Sequence, residues 1–424
     1  MLDRNIAPTF KKIDFVPLQW PKKYQLNESI PLFVLNAGTQ PIVKLEIIFK
    51  AGSWYEPQNG IAYFTAKMLK EGTNRKSATA IATYIDQYGA SLDIVAEADF
   101  LSIHLFTLSS YFDKMLSLVR ELLFESTFPA HSLELLKNIQ IQAIKVNKEK
   151  NNHVAQKALK AALFGKCHPY GKYLTEAEVR CIEPDRLKSY YQQQRFAGCE
   201  IFMSGQIEDT MIEAVKQHLK ELSSHTSIPA PPSLQQSITK DAAKIQLSTK
   251  KQSRQSSISI GKILFTKHHE DYVPMCFLNE LLGGYWGSRL MQNIREEKGY
   301  TYGIFSSIIP YRHASYFLIA TDVIQSFTQQ TLEEIYKEIK LLQKQEITPE
   351  ELQKLKNYML GTFLSEINDP FSLMEKFKEV YLYGLRQDYY QQYYTTIYNM
   401  QARILIELAH QYLTIDSLSE VVVD

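Results

Sequence analysis

Two pairs of side chains in this sequence have the types and spacing to do chemistry. The first is Tyr63 and Lys67, four residues apart in the stretch Ala51 to Thr73, AGSWYEPQNGIAYFTAKMLKEGT. Gly52, Pro57, Asn59 and Gly60 make a turn there, and a short helix follows from about Ile61 to Lys70, closed by Gly72. Ile61, Phe64 and Met68 share one face of that helix, while Tyr63, Lys67 and Lys70 share the other. Two ligands four apart on a helical face is how several zinc peptidases hold their ion. Lysine can instead act as a base when it is desolvated. Neither chemistry is complete here: Lys67 would repel a dication, and the sequence supplies it no acid partner. A solvated helix face is the plain alternative. The second pair is Arg295 and Tyr302, seven residues apart, a guanidinium and a phenol able to donate to a peptide carbonyl or an oxyanion. The plain alternative makes Arg295 one charge of the run Arg295-Glu296-Glu297-Lys298 and Tyr302 one aromatic of a strand.

Other chemically suggestive stretches reduce to structure. In His268-His269-Glu270-Asp271 adjacent residues cannot all point at one ion, so the run reads as a solvated loop before a helix with an acidic start. Tyr389, Tyr390, Tyr393 and Tyr394 recur at helical spacing and read as core or interface rather than a platform for bases.

The elements that position the two pairs follow from periodicity. Val43 to Phe49 alternates as a half-buried strand feeding the first turn. After the Ile61 helix come a helix over Ala78–Tyr88, a hairpin over Ser91–Ala96 and Leu101–Thr107, and a helix over Tyr111–Phe124. A long helix then starts near His131 and runs past Val146, with Leu133, Leu136, Ile139 and Ala143 as its expected inward stripe. Helices near Ala155–Leu163 and Pro184–Gln194, a strand at Glu200–Met203 and a helix over Met211–Leu222 complete the first half. Ser223 to Ser237 is proline-rich without periodicity and reads as a linker. The second half opens its sheet at Gln255–Ile260, runs a helix from Val273 to Leu282, breaks at Gly283-Gly284, and resumes near Ser288 until Gly299. Asp369-Pro370 separates two later helices. Two landmarks recur in order: the glycine turns Tyr88-Gly89 and Lys298-Gly299, then Leu133-Glu134-Leu135-Leu136-Lys137-Asn138 and Leu352-Gln353-Lys354-Leu355-Lys356-Asn357. They argue for duplication. The domains expected are 1–222, the linker 223–237, and 238–424.

At 424 residues the chain exceeds one ordinary core. Its 47 basic and 46 acidic residues balance, which implies no polyanionic partner such as nucleic acid. No apolar run reaches membrane-span length, and MLDRNIAPTFKKIDF shows neither a secretory nor a transit pattern. Cys167, Cys181, Cys199 and Cys276 make no close-spaced metal or redox pair, so a reducing cytoplasm is the expected setting.

The pattern Gly52-Ser53-x-Tyr55-Glu56-Pro57-x-x-Gly60-x-Ala62-x-Phe64-x-x-x-Met68-Leu69-x-x-Gly72-Thr73 resembles the signature segment of the pitrilysin/insulinase family of zinc peptidases, which includes the mitochondrial processing peptidase. Active members carry His-x-x-Glu-His on this helix. The resemblance places the first His position at Tyr63, the base at Ala66, the second His at Lys67, and the third ligand, on a later helix, at Ala143. All four are lost. The stretch Gly283-Gly284-Tyr285-Trp286-Gly287-Ser288-Arg289-Leu290 and its continuation to Tyr302 resembles the family's second-domain segment, where an Arg and a Tyr reach toward peptide at a zinc site; those map to Arg295 and Tyr302. The resemblance spans nearly the whole chain. It implies an α+β fold of two homologous domains, each an antiparallel-rich sheet covered by helices on one side. It also implies a catalytically silent subunit that holds no metal and gives Arg295 and Tyr302 to peptide bound at the zinc of a homologous partner subunit. The expected rival is a scaffold or interaction protein with no role in proteolysis. A homodimer is possible when the chain is alone.

Overall fold

The computed structural model describes residues 13–27, 30–194, 198–222, 242–248 and 254–424; the expected linker lies outside them. Eleven strands occur among the described residues: β1 (Lys22–Gln25), β2 (Pro31–Asn36), β3 (Ile42–Phe49), β4 (Ser91–Ala96), β5 (Leu101–Leu108), β6 (Cys199–Gly205), β7 (Lys244–Leu247), β8 (Gln255–Leu264), β9 (Thr301–Pro310), β10 (Ser315–Ile324) and β11 (Ser419–Val423). The first half carries helices α1 (Ile61–Met68), α2 (Ala78–Gln87), α3 (Phe112–Glu125), α4 (Ala130–Lys148), α5 (Asn151–Phe164), α6 (Glu176–Arg180), α7 (Pro184–Gln194) and α8 (Asp209–His218). The second carries α9 (Tyr272–Asn279), α10 (Thr328–Lys344), α11 (Pro349–Ser365), α12 (Pro370–Tyr383), α13 (Tyr389–Tyr398) and α14 (Ala402–Tyr412). The fold is α+β, as expected.

The two sheets repeat one topology. Their orders are β1-β2-β6-β3-β5-β4 and β7-β11-β8-β10-β9. β2 pairs parallel with β6 as β7 does with β11, and the remaining pairs are antiparallel. The landmarks Leu133–Asn138 and Leu352–Asn357 fall in α4 and α11, each the second helix after its hairpin.

Side chains alternate across each sheet, and both faces are covered. Along β3, Val43, Leu45, Ile47 and Phe49 join the core under the first half's own helices. Ile48, with Phe33, Leu35 and Phe202 on neighbouring strands, packs the other way against Met374 of α12. The second sheet is the mirror case. Phe317, Ile319 and Val323 of β10 meet their own helices, whereas Tyr316, Leu318 and Ala320 meet Leu159 and Leu163 of α5. Each half therefore keeps its own helices on one face and receives a single helix from the other half on the opposite face. α5 and α12 hold equivalent places in the repeat, so the exchange is reciprocal. Local sequence sets α12: Asp369 accepts from the Phe371 and Ser372 amides (2.8 and 2.9 Å), Pro370 opens the helix, and Gly384 closes it at φ +69°.

One sequence expectation fails inside α4. Leu133, Lys137 and Ile141 are its buried residues, and Ile139 is 64% exposed. Steps of three residues turn about 300° and slip back about 60° each, so the series Leu133, Leu136, Ile139 walks off the core. Lys137 can take the inward place because its Nζ donates to the Ile182 carbonyl (3.2 Å) and to Glu134 (2.8 Å).

Candidate functional site

The turn before α1 is built by Gly60, at φ +95°, and by Glu56. Glu56 Oε2 accepts from the Gly60 and Ala62 amides (3.1 and 2.9 Å), satisfying donors that a helix start leaves free. Its other oxygen lies 2.7 Å from Lys172 Nζ. On α1, Tyr63 is half-buried, Ala66 is buried and Lys67 is exposed. Tyr63 Oη donates to Gln140 Oε1 at 2.9 Å, and Lys67 Nζ rests 5.9 Å from the Tyr63 ring. Burial holds the Tyr63 phenol above its ordinary pKa, so it stays a neutral donor.

The residue of α4 that meets Tyr63 is thus Gln140. Ala143 lies further round the helix, half-buried and away from the cavity of about 720 Å³ that Tyr63 and Gln140 line. The expected third-ligand position is Ala143, and the α4 side chain bonded to Tyr63 is Gln140, three residues earlier. A phenol, a methyl, an ammonium and a carboxamide offer no anionic ligand set, so zinc does not fit at this helix. Among the described residues no group of three His, Cys, Asp or Glu side chains could hold a metal.

The second pair sits elsewhere. α9 runs on into wider, π-type turns at Glu280–Gly284, and a second π-type run covers Met291–Glu297, a winding often found at functional positions. The Lys298 amide bonds to the Asn293 carbonyl (3.0 Å) and the Tyr300 amide to Ile294 (3.1 Å), tying this run to the start of β9. Arg289 fixes it to α11 through two parallel bonds to Glu351 (3.1 and 3.0 Å). Arg295 lies inside the run with its guanidinium carbon 4.1 Å from the Trp286 ring centroid. Its Nη1 is 3.4 Å from Glu296 Oε1 and makes no hydrogen bond. Tyr302 is 95% exposed and Trp286 70%. No direct contact joins Arg295 to Tyr302 among the described residues. Pro310, at the far end of β9, lines the Tyr63 cavity. Eight residues of strand, roughly 26 Å, separate it from Tyr302, beyond the reach of a tyrosine side chain.

The remaining sequence candidates are structural. His268, His269 and Glu270 are exposed in the loop before α9. Tyr390 is buried, and Tyr389, Tyr393 and Tyr394 pack half-buried against the second core. The four cysteines are free.

Comparison with known proteins identifies the family. Residues 32–177 match the model described as insulinase, peptidase family M16, and residues 182–359 match that described as the peptidase M16 inactive domain. The chain belongs to the M16 peptidase family. It is 25% identical over 366 residues to an uncharacterized zinc protease, YmxG, of Bacillus subtilis, covering 84% of this chain and 86% of that one. It is 23% identical over 353 residues to a Helicobacter pylori protein described as a non-peptidase homolog, covering 80% and 79%. In fold it is similar to the crystal structure of a peptidase M16 inactive domain from Pseudomonas fluorescens (TM-score 0.83, 22% identity, 95% of this chain and 98% of that one) and to a Helicobacter pylori protease (TM-score 0.85, 18% identity, 95% and 100%). This M16 chain is a peptidase-fold homologue with no His, Cys, Asp or Glu side chain on α1. Among its described residues no helix is long and apolar enough to cross a membrane.

Proposed function

We propose that this chain is the catalytically silent subunit of a heterodimeric M16 zinc peptidase of the processing-peptidase type, working in the cytoplasm. Arg295 and Tyr302 then bind peptide at the zinc of a homologous partner subunit. The observation that carries this reading is the separation of the two stretches. α1 offers no ligands, while Tyr302 stands exposed at the start of β9, about 26 Å of strand from the chain's own cavity, and Arg295 is half-buried against Trp286 in the π-type run before it. A pair so placed serves a site in another chain or none. Trp286 supports the guanidinium from one side, so its donors are oriented before a substrate arrives.

The test mixes the purified chain with a zinc-motif homologue from the same source and follows cleavage of a peptide library. Neither chain alone should cleave as the mixture does. Arg295→Ala should lower the activity of the mixture about a hundredfold, the cost of one lost oxyanion donor, with co-elution of the chains intact. Tyr302→Phe should lower it less. Unchanged activity in both variants would favour the rival reading of a scaffold, and chelator-sensitive cleavage by this chain alone would refute both.

A further inference from the structure

The cavity beside Tyr63 continues into a second, of about 850 Å³, and both are lined by Glu56, Asn59, Gln140, Lys172 and Tyr173. α5 supplies one wall of this channel through Lys157 and Lys160. The nearby carboxylates are already engaged. Glu56 caps α1 and pairs with Lys172, Glu178 takes the Thr175 hydroxyl and amide (both 2.7 Å) in a capping box, and Asp99 takes the Tyr170 hydroxyl (2.8 Å) and the Arg312 amide (3.2 Å). Glu97 stands exposed at the opposite rim. Among the described residues Lys157 and Lys160 are in no ion pair. Lys160 Nζ lies 5.4 Å from the Tyr173 ring and 5.5 Å from the Tyr311 ring, and Lys157 Nζ 5.3 Å from Tyr173. Burial lowers both ammonium pKa values; for Lys157 the neighbouring Lys148 adds to the lowering and Glu178 opposes it, while Lys160 feels burial alone. The rest of the second cavity mixes apolar Ile144, Val154, Ala158 and Leu174 with Asn147, Lys148, His153 and Lys166.

We infer that this channel binds an acidic peptide segment in extended form, with carboxylates on Lys157 and Lys160 and apolar side chains between α4 and α5. Two joined cavities exceed what a small anion fills, and aromatic rings hold the lysines without satisfying them. The channel belongs to this chain alone, so the inference is independent of the role proposed for Arg295 and Tyr302.

The probe is a fluorescein-labelled peptide with glutamate at every second position and apolar residues between, titrated with the full chain by anisotropy. It should bind, and weaken with added salt. The same peptide with glutamine should bind about tenfold more weakly, the size of one charge-assisted contact. Lys157→Gln with Lys160→Gln should remove the preference, and Lys160→Arg should keep it. Should the double variant not fold, amine acylation of the natural chain gives the answer: the glutamate peptide should protect Lys160 and the glutamine peptide should not. Equal binding of the two peptides, or equal protection, overturns the inference. Displacement by glutarate at the peptide's own concentration overturns it too, in favour of a small-anion site.

Discussion

Glu46 of β3 is 1% exposed and faces α12, where Lys378 Nζ donates to its Oε1 at 2.6 Å. Lys44 Nζ (3.0 Å) and His104 Nδ1 (2.8 Å) share that oxygen. Burial pushes the carboxyl pKa up, but the His104 hydrogen bond and the two ammonium charges outweigh it and hold the group at about 2 against an ordinary 4.5. The folded pKa is depressed, so the stabilisation is fully present above the unfolded value near 4.5. It fades as pH falls from there toward 2. Its size at neutral pH is about 3 kcal/mol. Lys378→Met removes the one partner that arrives from the other half, leaving a buried carboxylate held by Lys44 and His104 alone. The expected loss is about 3 kcal/mol, the low end for stranding a buried charge because two partners remain. Adding Glu46→Gln to Lys378→Met should recover at least about 1 kcal/mol, a coupling only contacting residues show. Urea unfolding followed through Trp20, which packs edge-on against Phe377 of α12 at 5.6 Å, reports the docking of that helix. Equal losses for Lys378→Met at pH 7 and at pH 2, or strict additivity of the two substitutions, would refute the claim that this cluster locks α12 to the first sheet.

Further consequences follow from the same geometry. Tyr63→His, Ala66→Glu and Lys67→His combined with Gln140→Glu should create zinc binding, measured by competition with a chromogenic chelator. Replacing Gln140→Glu by Ala143→Glu in that set should weaken it by about tenfold or more, since a missing ligand opens the site. Gly60→Ala meets both a backbone at φ +95° and Leu174 Cδ1 at 2.7 Å, and should cost about 1–3 kcal/mol in thermal or urea unfolding. Leu159→Ala, at the centre of the α5 contact, should cost about 2–5 kcal/mol and speed amide exchange in β8 and β11. Trp286→Ala should lower the activity of the mixed subunits while leaving the melting temperature unchanged, because the ring is exposed.

Much of this architecture was legible because it rests on local pattern. The alternation of Val43 to Phe49, the breakers before Ile61 and the proline at 370 each dictate their own element, and β3, α1 and α12 begin where those signals fall. Edge strands gave weaker signals. Lys22–Gln25 and Lys244–Leu247 are short and polar, and only a neighbouring strand makes them part of a sheet.

What local pattern could not show is which helix belongs to which sheet. α5 reads as an amphipathic helix of the first half, and nothing in Ala155, Leu159 or Leu163 says that their partners are Leu318 and Ala320, far along the chain. The same holds for Lys44 and Glu46. As residues of an alternating strand they look solvent-facing, and they are buried only because Lys378 and Glu375 arrive on an exchanged helix. The α4 error has a related origin. An apolar series in steps of three looked like a core stripe, while the buried places after Leu133 went to Lys137, satisfied by a carbonyl, and to Ile141, with the half-buried Gln140 turned to Tyr63. A polar side chain can occupy a buried position when its partner is fixed by another element, and sequence alone does not reveal that partner. The phenol–amide hydrogen bond between Tyr63 and Gln140 is therefore visible only where α1 and α4 are seen together.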